Sequence, residues 1–197
     1  MTEELKPIGL LLAAGAGTRF GGRKLLAPLS DGTPLGIAAA RHLRAAVADC
    51  IVVVGPAERT LTPLFRAEGL RVVECPDAAQ GMGHSLACGV AASRFASGWI
   101  VALADMPWIA PDTIRTVAAT LSAGAPLAAP IHHGRRGHPV GIAAEFRQEL
   151  QQMSGDAGAR HLLRRESARL VTIPCDDPGV LRDVDSPADL PSLSRPS

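Results

Sequence analysis

Leu11-Leu12-Ala13-Ala14-Gly15-Ala16-Gly17-Thr18-Arg19-Phe20-Gly21-Gly22-Arg23-Lys24 decides the fold class of this chain. It begins inside an apolar run, residues 8–14, that reads as a buried strand, and the run empties into a loop with four glycines and three cations. Glycine carries no Cβ, so its backbone N–H groups can approach an anion closely and positive φ is open to it. Arg19, Arg23 and Lys24 bring charge to the same loop. A strand feeding such a loop, with a helix after it, is how α/β proteins hold phosphates.

Two lookalikes fit badly. A dinucleotide fingerprint needs G-x-G-x-x-G opening directly into a helix. After Gly15 and Gly17 the third glycine comes one residue late, because Phe20 stands where it belongs. The phosphate-loop pattern ends in Gly-Lys-Ser/Thr, and Gly22-Arg23-Lys24-Leu25 does not match it. A solvated glycine-rich turn is the bland alternative, and it holds only if nothing else in the chain points to phosphate chemistry.

Working outward, apolar runs alternate with alanine-rich helical segments. Helices are expected over 34–48, 58–67, 83–95 and 111–122, the last with Pro111 in its first turn. Between them, 51–54, 70–73, 99–104 and 127–129 read as buried strands. That rhythm predicts a parallel sheet covered on both faces. It changes after Pro130: a polar turn, 132–139, leads to a short strand at 140–142, expected as a hairpin at one edge. Two helices, 145–153 and 157–165, and an apolar segment, 170–173, follow. Residues 1–190 read as one domain and 191–197 as a frayed tail.

The chain has 197 residues and a formal net charge of +1, with 3% aromatics and no tyrosine. That balance gives no electrostatic case for nucleic acid or an anionic membrane, and the scarcity of aromatics argues against base-stacking platforms. No apolar run reaches the length of a membrane span. An acidic N-terminus, Glu3-Glu4, does not resemble a secretory signal. A cytoplasmic location is the expectation. Cys50, Cys75, Cys88 and Cys175 lie far apart in apolar surroundings and read as free thiols.

Two acidic sites stand out. Asp105 directly follows the strand ending at Ala104, at a carboxyl end of the sheet, where open α/β sheets bind ligands. Asp183 and Asp185 flank Val184, and alternation puts both on one side of an extended segment. If Asp105 meets one of them, two hard oxygen ligands become available for a magnesium ion on phosphates. Capping competes at both places. Asp105 could close the turn at Met106-Pro107, and Asp185 or Ser186 could cap a helix begun by Pro187.

Six segments in order carry a resemblance over nearly the whole chain: Leu12-Ala13-Ala14-Gly15 through Lys24, Gly81-Met82-Gly83-His84-Ser85-Leu86, Ala104-Asp105-Met106-Pro107, Gly137-His138-Pro139-Val140, Gly155-Asp156-Ala157-Gly158-Ala159-Arg160, and Asp183-Val184-Asp185-Ser186-Pro187. The chain resembles the MobA-like nucleotidyltransferases, most of all the cytidylyltransferases of the molybdenum cofactor. This resemblance implies a Rossmann-like three-layer α/β/α fold with a mostly parallel sheet, like the nucleotide-diphospho-sugar transferases. It implies attack by a terminal phosphate of molybdopterin or molybdenum cofactor on the α-phosphorus of a nucleoside triphosphate, with pyrophosphate leaving. Carried over by motif position, Lys24, Arg19 and Asp105 are catalytic, and Asp105 and Asp185 hold Mg2+. Leu12, Ala13, Ala14, Gly15, Gly17, Gly81, Gly83 and Ser85 face the nucleotide, and Gly137, His138, Pro139, Gly155 and Asp156 face the acceptor. A molybdoenzyme receiving the cofactor is the implied protein partner. The Ala14 methyl, where guanylyl-transferring relatives carry glycine, favours CTP over GTP.

His84 departs from the small hydroxyl residue common in relatives. His132 and His133 match no motif and read as a solvated turn. His138 is expected to shape its loop rather than act as a base, since an attacking phosphate is already ionised. Transfer from GTP or to another phosphorylated acceptor stays open, as do a nicotinamide-dependent oxidoreductase and a non-catalytic cofactor chaperone. The oxidoreductase would want an acidic ribose ligand that is missing at the expected distance. The chaperone would have no need of Lys24, Asp105 and Asp185.

Overall fold

The computed structural model describes residues 6–15, 20, 22–56 and 58–190. Ile8–Leu12 forms β1, and all five residues are buried. Such a run is apolar without alternation because helices cover both of its faces. Cys50–Val54 (β2) and Gly98–Leu103 (β4) flank it, both parallel to it, and Arg71–Glu74 (β3) continues the parallel set beyond β2. The end residues of β3, Arg71 and Glu74, are exposed, and charges of this kind keep an open sheet edge from pairing with another chain.

On the other side of β4 the sheet becomes mixed. Leu127–His132 (β5), Arg135–Arg136 (β6), Val140–Ala143 (β7) and Leu170–Pro174 (β8) complete a sheet ordered β3-β2-β1-β4-β7-β5-β6, with β8 parallel to β5. β7 runs antiparallel to both β4 and β5. The edge hairpin expected from sequence is therefore corrected. The 140–143 strand is inserted into the sheet interior, where Val140 and Ile142 are buried. The edge hairpin is β5-β6, turned by His133 and Gly134 at positive φ.

Leu35–Ala46 (α1), Leu61–Ala67 (α2) and Pro111–Ser122 (α4) cover one face of the sheet. Met82–Ala91 (α3), Arg147–Gln151 (α5) and Arg160–Arg165 (α6) cover the other. In α4, Ile114, Val117 and Leu121 recur at helical spacing and are buried, which fixes its inward stripe. Several helices are shorter than the sequence pattern predicts, α3 ending at Ala91 and α2 starting at Leu61, and the last two most of all. Residues 144–146 form a 3-10 turn ahead of α5, and Gly155 and Gly158 at positive φ hold 155–159 in turns until α6 begins. The result is the three-layer, mostly parallel α/β/α architecture expected from sequence. No helix among the described residues is long and apolar enough to cross a membrane.

Candidate active site at the carboxyl ends of the strands

β1 and β4 end side by side, joined by the Ala104 N–H donating to the Leu12 carbonyl at 3.0 Å. Asp105 therefore leaves the sheet next to the glycine loop. Lys24 opens a 3-10 turn, Lys24–Leu26, anchored by the buried Leu25. The Leu35 N–H at the start of α1 donates to the Ala27 carbonyl just beyond that turn. The Lys24 ammonium donates to Asp105 Oδ2 at 2.8 Å and lies 4.0 Å from Asp185 Oδ1. Its side chain is 12% exposed, so solvent screens this contact weakly. Arg23 beside it is left-handed (φ 53°) and exposed. Arg19 and Gly17 lie outside the described residues.

Neither Asp105 nor Asp185 acts as a cap; of the capping alternatives, the one at Ser186 is realised. The Asp105 side chain accepts from Lys24, while its Oδ1 is shut off from solvent with no hydrogen-bond donor among the described residues. At the other site Ser186 is the N-cap and forms a capping box with Asp189, whose Oδ2 accepts from the Asp185 N–H at 3.0 Å and from the Ser186 N–H and hydroxyl at 2.6 and 2.9 Å. That leaves the Asp185 carboxylate turned toward Lys24. Buried carboxylate oxygens are nearly always satisfied in native proteins, so the bare Asp105 Oδ1 marks a place where a cation or donor fits. Among the described residues, no three His, Cys, Asp or Glu side chains gather as a metal cage.

Asp177 is the positioning residue that sequence reading missed. It is 9% exposed and holds three donors: the Ala110 N–H at 2.9 Å, the Thr113 hydroxyl at 2.7 Å and the Gly179 N–H at 2.9 Å. It thus ties the start of α4 to the segment that delivers Asp183 and Asp185. Further along, the Val184 N–H donates to the Asp105 carbonyl at 3.0 Å and the His138 N–H to the Val180 carbonyl at 2.9 Å. A Cβ on Gly137 would run into Val180, so this close approach requires glycine. The only sequence signal was the Asp-Pro-Gly turn composition of residues 177–179, which does not reveal a partner more than sixty positions away.

The glycines of the 81–83 segment meet the 154–156 turn directly. The Gly83 N–H donates to the Gly155 carbonyl at 2.7 Å, and a Cβ on Gly81 (φ 124°) would strike the Gly155 backbone and lie 2.6 Å from Asp156 Oδ1. Two segments read separately, one toward nucleotide and one toward acceptor, are thus one packed wall. Leu12, Ala13 and Ser85 are buried, Ala14 and Pro139 are at or near the interior, and Gly15 stands exposed at the mouth. His138 lines the cleft with Nδ1 shielded and without a partner among the described residues. Burial pushes its pKa down, opposed by Asp105 and Asp183 and reinforced by the charge of Arg136. His132 corrects the solvated-turn expectation: it is buried in β5, its Nδ1 3.0 Å from the Cys175 carbonyl, whereas His133 is exposed. The four thiols are free, as expected.

These elements enclose a cleft of about 750 Å3 that includes Leu12, Lys24, Asp105, Asp183, Asp185 and His138. A wider groove, about 1420 Å3, lies around Lys6, Asp49 and Phe95 at the opposite ends of the strands. The smaller one sits where the strand order reverses between β1 and its two parallel neighbours, which is where α/β sheets put their chemistry.

Residues 9–171 match the MobA-like NTP transferase domain. The chain belongs to that family. The nicotine blue oxidoreductase of Paenarthrobacter nicotinovorans is 33% identical to this MobA-like chain over 186 residues, 90% of this chain and 91% of the relative. The purine catabolism protein PucB of Bacillus subtilis (strain 168) is 30% identical, covering 95% and 96% of the two chains. Among solved structures, Rv0371c of Mycobacterium tuberculosis H37Rv superposes with a TM-score of 0.78 at 26% identity, covering 95% and 96%. That protein has also been solved as a complex with manganese, with a TM-score of 0.74 at 25% identity, covering 93% of this chain and 95% of the other. This MobA-like domain is a nucleotidyltransferase by family. The match stops short of Asp177, Asp183 and Asp185, which reach the cleft through the contacts just described.

Proposed function

We propose that this nucleotidyltransferase moves CMP from CTP onto the terminal phosphate of a molybdopterin-type acceptor, using Mg2+, in the cytoplasm. The observation that carries the proposal is one ammonium, Lys24, shared by two carboxylates, Asp105 and Asp185, beside a glycine loop at the strand ends. Phosphoryl-type transfer needs charge neutralisation and in-line positioning more than a protein nucleophile.

In the reaction, an acceptor phosphate oxygen forms a bond to the α-phosphorus of CTP. The bond from that phosphorus to the α–β bridging oxygen breaks, and pyrophosphate leaves with the electron pair. Lys24 neutralises charge that builds on the phosphates, with Arg19 as its expected companion. Asp105 and Asp185 are the residues that would hold a divalent cation, and the bare Asp105 Oδ1 suits one. When bound, the cation would supply further neutralisation of the triphosphate. Gly15 and Gly17 offer backbone N–H groups to phosphate, Gly81, Gly83 and Ser85 border the nucleotide, and Gly137, His138, Pro139, Gly155 and Asp156 border the acceptor. The product would pass to a molybdoenzyme. One relative is named an oxidoreductase, but the glycine spacing and the Lys24–Asp105 pair in this chain fit a triphosphate better than a dinucleotide.

The test is turnover with each of the four nucleoside triphosphates, magnesium and molybdenum cofactor. CTP is expected to give the highest kcat/KM, with Ala14→Gly eroding its lead over GTP by a change within about 1–3 kcal/mol. A wild-type preference for GTP or ATP would sink the cytidylyl assignment. Absorbance titration with NADH is expected to show no binding.

A further inference from the structure

The segment that delivers Asp185 and the loop that follows Asp105 meet along a seam behind the cleft. The buried Val184 donates its N–H to the Asp105 carbonyl at 3.0 Å, and a Cβ on Gly179 would strike the Trp108 carbonyl. Across the same seam the Arg182 guanidinium lies 3.7 Å from the centre of the Trp108 ring. Its Nη2 also donates to the Asp189 carbonyl at 3.2 Å. Asp189 in turn holds the Asp185 N–H through its Oδ2 at 3.0 Å. One side chain thus joins the ring that follows Asp105 to the turn that presents Asp185. Trp108 is partly buried against the core and Arg182 is exposed, so the ring is the fixed member of the pair. A planar guanidinium stacks on an indole face better than an ammonium does. Neither Arg182 nor Trp108 lines the cleft itself.

We propose that Arg182, clasped on Trp108, is a positioning residue that sets the spacing of Asp105 and Asp185 for a divalent cation. The proposal rests on the metal-assisted nucleotidyl transfer put forward above. Two carboxylates that share one ion repel each other until it binds. Their approach therefore has to be held by contacts further out, and such outer contacts govern metal affinity. The hydrogen bond from Val184 to Asp105 joins the two backbones at one point, about which the segment could pivot. The clasp supplies a second point beyond Asp185, and the path from Arg182 to the Asp185 backbone runs through Asp189 alone. Asp177 secures the start of the same segment against α4, so it cannot substitute for a hold at the far end. The stack and the hydrogen bond are both exposed, which keeps the expected effect to about threefold to tenfold in metal affinity.

The experiment measures Mn2+ binding to the full chain in the presence of CTP. Water proton relaxation is the readout, because it separates Mn2+ held on the protein from Mn2+ on free CTP. The proteins are wild type, Arg182→Met, Arg182→Lys, Trp108→Leu, Trp108→Phe and the double variant Arg182→Met/Trp108→Leu. Arg182→Met and Trp108→Leu are each expected to bind Mn2+ about threefold to tenfold more weakly. Arg182→Lys keeps a cation at the ring and should fall between wild type and Arg182→Met. Trp108→Phe keeps an aromatic face and should stay close to wild type. The double variant should match the weaker single one within about twofold, because both changes remove the same contact. CTP titrated with EDTA present should bind all six proteins within about twofold, whereas a general loosening of the fold would weaken it too. If Trp108→Leu fails to fold, the order of wild type, Arg182→Lys and Arg182→Met decides alone. Mn2+ affinity in Arg182→Met within about twofold of wild type, or effects that multiply in the double variant, overturns the clasp. Absence of Mn2+ binding to wild type with CTP would instead overturn the metal reading on which the clasp rests.

Discussion

Replacing Asp177 with alanine removes three hydrogen bonds at once, two of them buried. Its carboxylate accepts from the Ala110 N–H, the Thr113 hydroxyl and the Gly179 N–H at 2.7–2.9 Å, and both Asp177 and Thr113 are 9% exposed. A hydrogen bond to a charged partner contributes about 1.5–3 kcal/mol, and stranded donors lose their solvation as well. The three terms do not add, because water can enter the vacated space and re-solvate part of the set. A loss of about 3–5 kcal/mol is expected, near the upper end for one substitution and a large share of a typical domain stability of about 5–15 kcal/mol. Asp177→Asn keeps one carbonyl oxygen, so Gly179 can stay bonded while the Ala110 N–H and the Thr113 hydroxyl, which share the other oxygen, face an amide nitrogen to which the hydroxyl can turn as acceptor. That variant should lose about 1–2 kcal/mol. Urea unfolding followed by circular dichroism measures both losses from the shift in midpoint at constant slope. Since Gly179 through Asp185 follow directly, the Asn variant should also lose turnover, about tenfold, if a small displacement of Asp185 disturbs the phosphates. Asp177→Ala within about 1 kcal/mol of wild type would refute the tie between α4 and this segment.

Three further outcomes follow from the site. Asp105→Asn and Asp185→Asn should each cut turnover on the order of a hundredfold or more with the fold intact by circular dichroism; near-normal turnover in either one would refute their joint role. Lys24→Ala should lower kcat more than it raises KM, because its charge acts as the transition state develops, while the exposed Arg23→Ala should stay close to wild type; the opposite order would mean that the loop cations are misassigned. His138, whose burial pushes its pKa below the ordinary 6.5, favours the neutral ring in the folded state. Its contribution is complete above the unfolded-state value and is lost as pH falls through the folded one, so acidification below about 6.5 should destabilise the protein. His138→Gln should flatten that part of the profile, and an unchanged slope in chemical-denaturation midpoints between pH 7 and 5 would count against it.

Sequence alone determined the layers. Ile8–Leu12, Cys50–Val54 and Gly98–Leu103 are uninterrupted apolar runs because both of their faces are covered, and that is a local property of composition. Asp105 was legible for the same reason: a carboxylate directly after a buried strand has to emerge at the strand end. Tertiary structure alone decided which strands are neighbours. Val140–Ala143 carries the same apolar pattern at an edge or in the middle, and only its pairing with β4 and β5 makes it interior. It also decided that Lys24 meets Asp105 across 81 positions, and that Asp177 serves an α-helix start far upstream of it. Such contacts are between side chains brought close by packing, and no spacing along the chain records them. The Gly81 and Gly155 motifs illustrate the division. Each announced a special backbone in the sequence, but only the structure shows that Gly81 makes room for the 154–156 turn, whereas Gly155 has open space where a Cβ would stand and serves its own positive φ.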